Sequence, residues 1–110
     1  MKKFIIVLVI AAVFVPAAYA HSPSAITVKT INETVEVFIS HPVSDPIEHY
    51  IRLVTISING KEVQSREFTT QSAEGLAVTF DIPGLKSQDK VIVFAVCNRF
   101  GDKRQEVTVP

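Results

Sequence analysis

From residue 25 onward, short runs of apolar and β-branched residues alternate with clusters of turn residues, and this pattern constrains the fold more than any other feature. Within residues 34–40 the apolar side chains recur at every second position, which is the period of a strand with one buried face. Continuing that parity predicts that His41 points toward the interior. Asn59-Gly60, between two such runs, predicts a two-residue type I′ hairpin turn.

The pattern predicts an all-β fold, an immunoglobulin-like antiparallel β-sandwich of about seven strands. The candidate strands are residues 25–30, 34–40, 50–58, 61–69, 77–82, 90–97 and 103–109. Residues 91–96 are apolar on both faces, which indicates a central strand that ends at Cys97. Residues 45–50 predict a single helical turn that begins at Pro46. Four phenylalanines are predicted to lie in the core, namely Phe38, Phe68, Phe80 and Phe94.

The start of the chain reads as an export signal. Lys2 and Lys3 make a short basic start, and residues 4–15 are apolar. Ala18 and Ala20 are small residues at the two positions that a signal peptidase recognises before its cleavage site. The apolar run is shorter than the about 20 residues of a transmembrane helix, so we expect no stable membrane insertion after cleavage. Residues 1–20 are predicted to be a signal peptide and residues 21–110 one exported domain, in the periplasm.

Charge and cysteine content narrow the function further. The sequence has 11 basic and 11 acidic side chains, and losing Lys2 and Lys3 leaves nine basic residues against eleven acidic ones, a net charge of −2. That balance does not favour a nucleic acid or an anionic membrane as partner. The single cysteine cannot form an internal disulfide, so Cys97 is a buried thiol, an intermolecular bridge or a metal thiolate.

All the histidines and the cysteine lie in short motifs. The motifs are His21-Ser22-Pro23, His41-Pro42, Glu48-His49-Tyr50-Ile51 and Cys97-Asn98-Arg99-Phe100-Gly101. In this order they resemble the H-x-P, H-P, E-H-Y-I and C-N-x-H-G elements around the mononuclear iron centre of the desulfoferrodoxin or superoxide reductase family. The resemblance covers almost all of residues 21–110. It implies one iron ion, Fe²⁺ or Fe³⁺, whose ligands are His21, His41, His49 and Cys97, and no catalytic residue beyond the metal centre.

The same resemblance implies an oxidoreductase that reduces superoxide to hydrogen peroxide. Electrons would come from a separate small electron-donor protein, because one cysteine leaves no rubredoxin-like second centre. Imidazole suits iron, and an anionic thiolate donates charge that favours the oxidised ion. Backbone amides of the turn after Cys97 are expected to hydrogen-bond its sulfur. The sequence leaves open whether the protein forms a homo-oligomer.

The sequence departs from the family pattern at three points. Phe100 stands where the family has its fourth histidine, the segment between His41 and His49 is two residues longer than usual, and the Glu-Lys that often precedes the first histidine is absent. Cleavage after Ala20 would make His21 the first residue. Its α-amine and imidazole would then together supply the nitrogen that Phe100 does not, a pair that also suits copper.

Two rival interpretations stay open. One is a non-catalytic β-sandwich interaction module, similar to the sulfur-oxidation carrier subunits of the Sox Z type, and the other is an iron or copper carrier that uses the same ligands. Taken singly, Cys97 reads as a packing thiol and His49 as a surface residue. Arg99 is either a solvated turn residue or a cation that attracts superoxide. Phosphate-binding loops and nucleophile elbows are absent from the sequence.

Overall fold

The structure, a computed structural model, describes residues 22–110. The strands in this range are β1 (Ala25–Ile31), β2 (Thr34–Ser40), β3 (Ile51–Ile58), β4 (Lys61–Glu67), β5 (Gly75–Asp81), β6 (Lys90–Cys97) and β7 (Asp102–Thr108). The predicted signal peptide and His21 lie outside the described residues. No helix within residues 22–110 is long and apolar enough to cross a membrane.

The strands form two antiparallel sheets. The three-stranded sheet has the order β1-β2-β5 and the four-stranded sheet the order β4-β3-β6-β7. The predicted all-β sandwich is therefore confirmed, and β2 and β6 have the predicted bounds. β6 lies between β3 and β7, which explains why its sequence is apolar on both faces.

The core lies between the sheets and is built from side chains at every second position of the strands. In its centre are Val35, Val37 and Ile39 of β2 and Val91, Val93 and Ala95 of β6. Phe80 is fully buried and Phe68 packs against the core, as predicted. The prediction is wrong for Phe38, which is 39% exposed because it has the outward parity of β2. Phe94 is likewise half-buried on the outward face of β6.

Two short turns have the predicted form. Asn59 and Gly60 have φ values of 52° and 87° and join β3 to β4, which matches the positive φ that a type I′ turn requires. In the predicted helical turn, the backbone N–H groups of Glu48 and His49 donate to the Asp45 carbonyl at 3.1 and 2.9 Å. The Asp45 carboxylate accepts from the backbone N–H of Ile47 at 3.1 Å and so caps this turn.

A buried carboxylate forms hydrogen bonds at the end of the sandwich that contains the Asn59-Gly60 turn. Asp89 is 4% exposed. It accepts hydrogen bonds from the Lys86 backbone N–H at 3.0 Å, the Asn59 side-chain amide at 3.0 Å and the Lys86 ammonium at 3.1 Å. The Lys86 backbone N–H, followed by the Asn59 amide and the Lys86 ammonium, holds the pKa of Asp89 below its ordinary value of 3.8.

This lowered pKa predicts a pH dependence of stability. The ionised Asp89 stabilises the fold fully above the unfolded-state value of 3.8, and that contribution is lost as the pH falls through the folded-state pKa. We expect Asp89→Asn to lower the free energy of unfolding at neutral pH and to flatten its decline in acid, measured by urea denaturation at a series of pH values. The exposed Asp102→Asn is the matched control. Identical acid profiles for Asp89→Asn and the wild type would contradict the prediction.

Candidate metal centre

Three of the four predicted ligands meet at one end of the sandwich. His41 directly follows β2, Cys97 ends β6, and His49 lies in the turn before β3. One donor atom from each lies within 4.8 Å of the other two. The His49 Nε2 and Cys97 Sγ atoms are 3.1 Å apart, and the His41 and His49 rings meet edge to face. The fourth predicted ligand, His21, lies outside the described residues.

One pair of these donor atoms has the spacing of two ligands of a single transition-metal ion. Metal–nitrogen and metal–sulfur bonds of about 2.1 and 2.3 Å that meet at a right angle separate their donor atoms by about 3.1 Å. The His49–Cys97 separation is also 3.1 Å. Imidazole and thiolate are donors that iron, copper and zinc all accept. The cluster is therefore a candidate mononuclear site in its chemistry and in the spacing of this pair.

His41 faces inward because it continues the buried parity of β2. Its side chain is 1% exposed. The backbone N–H of His41 donates to the Glu74 carbonyl at 2.9 Å, which extends the pairing of β2 with β5 beyond Ser40 and Gly75. A Cβ at position 75 would overlap the carbonyl oxygen of Ile39, so glycine is required for β5 to approach this closely. Regular sheet pairing thus fixes the position of His41, a candidate ligand.

A buried glutamine that the sequence reasoning missed contacts the His41 ring. Gln71 lies in the connection between β4 and β5 and is 8% exposed. Its Oε1 is 2.9 Å from His41 Nδ1 and also accepts from the Ile51 backbone N–H at 2.9 Å. The surrounding residues are polar and have no periodicity, so the sequence carries no signal that this side chain is buried.

Cys97 is positioned by pairing with β3 and by the turn that follows it. It is 3% exposed and pairs with Ile51 at the end of β6. Its backbone N–H donates to the Gly101 carbonyl at 3.0 Å and closes the turn. The Arg99 backbone N–H lies 3.4 Å from the Cys97 sulfur, so the predicted amide-to-sulfur hydrogen bond is confirmed at Arg99.

Asn98 fixes the distance between His49 and Cys97. Its backbone N–H donates to the Tyr50 carbonyl at 2.9 Å, and its side-chain oxygen accepts from the Tyr50 N–H at 2.9 Å. Its side-chain amide also donates to the Glu48 carbonyl at 3.1 Å. Glu48 and Tyr50, on both sides of His49, are therefore hydrogen-bonded to Asn98, the residue that follows Cys97.

The described chain begins against the same turn. Gly101 has a φ of 96°, and a Cβ at this position would overlap the Ser22 hydroxyl. Glycine is therefore needed both for the turn conformation and for the approach of Ser22. Since Ser22 follows His21 in the sequence, the chain enters the described region at the rim of the cluster.

Known proteins resemble this chain in sequence and in fold. A sequence model of the desulfoferrodoxin family, described as "Desulfoferrodoxin", matches residues 10–104. No protein with a curated function matches the chain significantly.

Among solved structures, the fold is similar to that of a one-iron superoxide reductase from Giardia intestinalis, with a TM-score of 0.63 and 16% identity over 80% of this chain and 99% of that one. It is also similar to neelaredoxin, a superoxide reductase from Archaeoglobus fulgidus in the reduced form. That comparison has a TM-score of 0.53 and 24% identity over 82% of this chain and 89% of that one.

The Asn98 contacts give a testable expectation for stability. Asn98→Ala removes the side-chain hydrogen bonds with the Tyr50 N–H, the Glu48 carbonyl and the Cys97 sulfur, and it leaves the Tyr50 N–H without its acceptor. We expect the free energy of unfolding to fall by about 1–3 kcal/mol in urea denaturation. The matched control is Gln105→Ala, an exposed side chain on β7, with an expected change within about 0.5 kcal/mol. Equal losses in the two variants would show that Asn98 does not brace the site.

Proposed function

The chain belongs to the desulfoferrodoxin family, and on that premise we propose that it is an exported mononuclear iron protein that reduces superoxide to hydrogen peroxide. The observation that carries the proposal is the convergence of donor atoms from His41, His49 and Cys97 within 4.8 Å. Histidines with purely structural roles would not be expected to converge with a buried cysteine at one point. The two similar solved structures described above are superoxide reductases, which supports the same activity.

The residues that would hold the iron are His21, His41, His49 and Cys97. Iron bound there would supply one electron, so that superoxide takes up this electron and two protons and leaves as hydrogen peroxide while Fe²⁺ becomes Fe³⁺. A Cys97 thiolate would donate charge toward such an ion and so favour its oxidised form. The Arg99 N–H withdraws part of that charge from the sulfur through its hydrogen bond at 3.4 Å.

Arg99 also has a role to play in attracting the substrate. Its side chain is exposed, and its Nε donates to the Glu48 carbonyl at 3.3 Å, which keeps the guanidinium beside the His49 turn. An exposed cation beside a site raises the local concentration of a small anion such as superoxide. Of the two interpretations of Arg99, we therefore propose the attracting one.

A separate electron-donor protein would return the protein to its reduced form. The sequence has one cysteine, too few for a second centre of the rubredoxin kind. Ile47 and Phe100 lie in the two turns that hold His49 and Cys97, and they are 74% and 61% exposed. Exposed apolar side chains on turns that carry ligands suit transient docking of a small redox partner close to the metal.

Copper is the second candidate, because one observation favours it. The donors that converge within residues 22–110 are two imidazoles and one thiolate, which is the equatorial ligand set of blue-copper sites. A copper protein with this set would carry electrons or copper rather than reduce superoxide. Elemental analysis of the purified protein separates iron from copper.

Iron binding gives the first test. We expect protein purified anaerobically from iron-replete cells to contain about one iron per chain and, when oxidised, to show a thiolate-to-iron charge-transfer band in the visible spectrum. Cys97→Ser should abolish the band and the consumption of superoxide, because it replaces the thiolate by a hydroxyl. Ser65→Ala, on the exposed face of β4, is the control that should retain both. Wild-type protein without stoichiometric metal would favour the interaction module instead.

The mature terminus gives the second test. Cleavage after Ala20 would expose the α-amine of His21 as an additional nitrogen donor in place of the missing histidine at position 100. We expect mass spectrometry of the exported protein to find His21 as its first residue. A variant with two extra residues between the cleavage site and His21 should bind the metal more weakly, because its terminal amine is displaced. Any other mature terminus contradicts the amine–imidazole proposal.

A further inference from the structure

Gln71 is a buried side chain that contacts a candidate ligand and also links the two sheets. Its Oε1 faces His41 Nδ1 and the Ile51 N–H, both at 2.9 Å. Its Nε2 donates to the His41 carbonyl at 2.7 Å and to the Ser72 carbonyl at 2.9 Å. All the hydrogen-bonding capacity of the buried amide is thus used.

The backbone fixes which way this amide points. The Ile51 N–H can only donate, and the carbonyl oxygens of His41 and Ser72 can only accept. The reversed amide would place its NH₂ group against an N–H and its oxygen against two carbonyl oxygens, each a repulsive contact in a buried place. Oε1 is therefore the atom that faces the imidazole of His41.

That orientation decides the tautomer of His41. Because Oε1 can only accept, the 2.9 Å contact requires a proton on Nδ1 of His41. In the neutral imidazole the lone pair then lies on Nε2, which is the nitrogen that would coordinate a metal. The other tautomer would place a proton on the donor atom itself.

We propose that Gln71 is a positioning residue that holds His41 in the Nδ1–H tautomer and so presents Nε2 to the metal. The tautomer part stands on the hydrogen bonds alone, and the metal part rests on the proposed function. The same oxygen is bonded to Ile51, which follows His49 by two residues. Gln71 therefore also sets the position of His41 relative to the segment that carries His49.

The first readout is the tautomer in the metal-free protein. Long-range ¹H–¹⁵N spectra of the metal-free protein should show His41 as Nδ1–H in the wild type. The His41 signals are identified by their loss in His41→Gln. We expect Gln71→Met, which removes the acceptor against Nδ1, to lose this form. A wild-type His41 in the Nε2–H form would overturn the proposal.

The second readout is metal affinity, measured by titration with Co²⁺ and visible absorption. Loss of a group that orients a metal-binding histidine typically lowers affinity by about 10–100-fold, and we expect this loss for Gln71→Met. Gln64→Met is the matched control. It removes a hydrogen bond to the Asp81 carbonyl, at the end of the sandwich away from His41, and should leave the affinity unchanged.

The two readouts separate the inference from the proposed function. Unchanged Co²⁺ affinity in a folded Gln71→Met protein would overturn the positioning role. A wild type that binds neither Co²⁺ nor iron would overturn the proposed function, while an Nδ1–H His41 in that protein would still support the hydrogen bond to Gln71. If Gln71→Met does not fold, the wild-type tautomer of His41 still decides the proposal, since an Nε2–H form would overturn it.

Discussion

The alternation of inward and outward side chains along β2 and β6 is the constraint on which the rest of the structure depends. The parity that buries Val35, Val37 and Ile39 also buries His41, and the parity that buries Val93 and Ala95 also buries Cys97. β2 and β6 both end at the same end of the sandwich. The alternation that packs the core therefore also brings two candidate ligands, His41 and Cys97, close together. A slip of one residue in either strand would turn its ligand outward.

A cluster of polar groups at the end of an apolar core is costly unless each group has a partner. Here the protein itself supplies the partners, since the amide of Gln71 hydrogen-bonds to His41 and the Arg99 N–H hydrogen-bonds to the Cys97 sulfur. Asn98 ties the His49 segment to the Cys97 turn in the same way. The donor atoms are consequently held close together by hydrogen bonds within the protein. A metal would therefore need to order few further residues when it binds.

The sequence predicts most of the fold because its strands are locally consistent. Strand period, the Asn59-Gly60 turn and the inward parity of His41 each depend on a few neighbouring residues, and each is confirmed. Motif order likewise predicts that His49 and Cys97 meet. Gln71 was not predictable, because its burial goes with contacts to His41 and Ile51, which are distant in the sequence, rather than with any local pattern. Phe38 shows the opposite error, in which residue type was given more weight than parity.

The substitution at position 100 shows which parts of the site depend on the fold and which depend on one residue. The turn keeps its closing hydrogen bond from Cys97 to Gly101, its amide contact to the sulfur, and the glycine that admits Ser22, although Phe100 carries no donor atom. The Cys97 sulfur and the imidazoles of His41 and His49 are therefore held without any contribution from a histidine at that position. In the proposed function, Phe100 lowers the number of nitrogen donors by one, and donor number and type are what distinguish iron from copper in a site of this kind. The identity of the metal would then depend on whether His21 supplies the nitrogen that Phe100 does not.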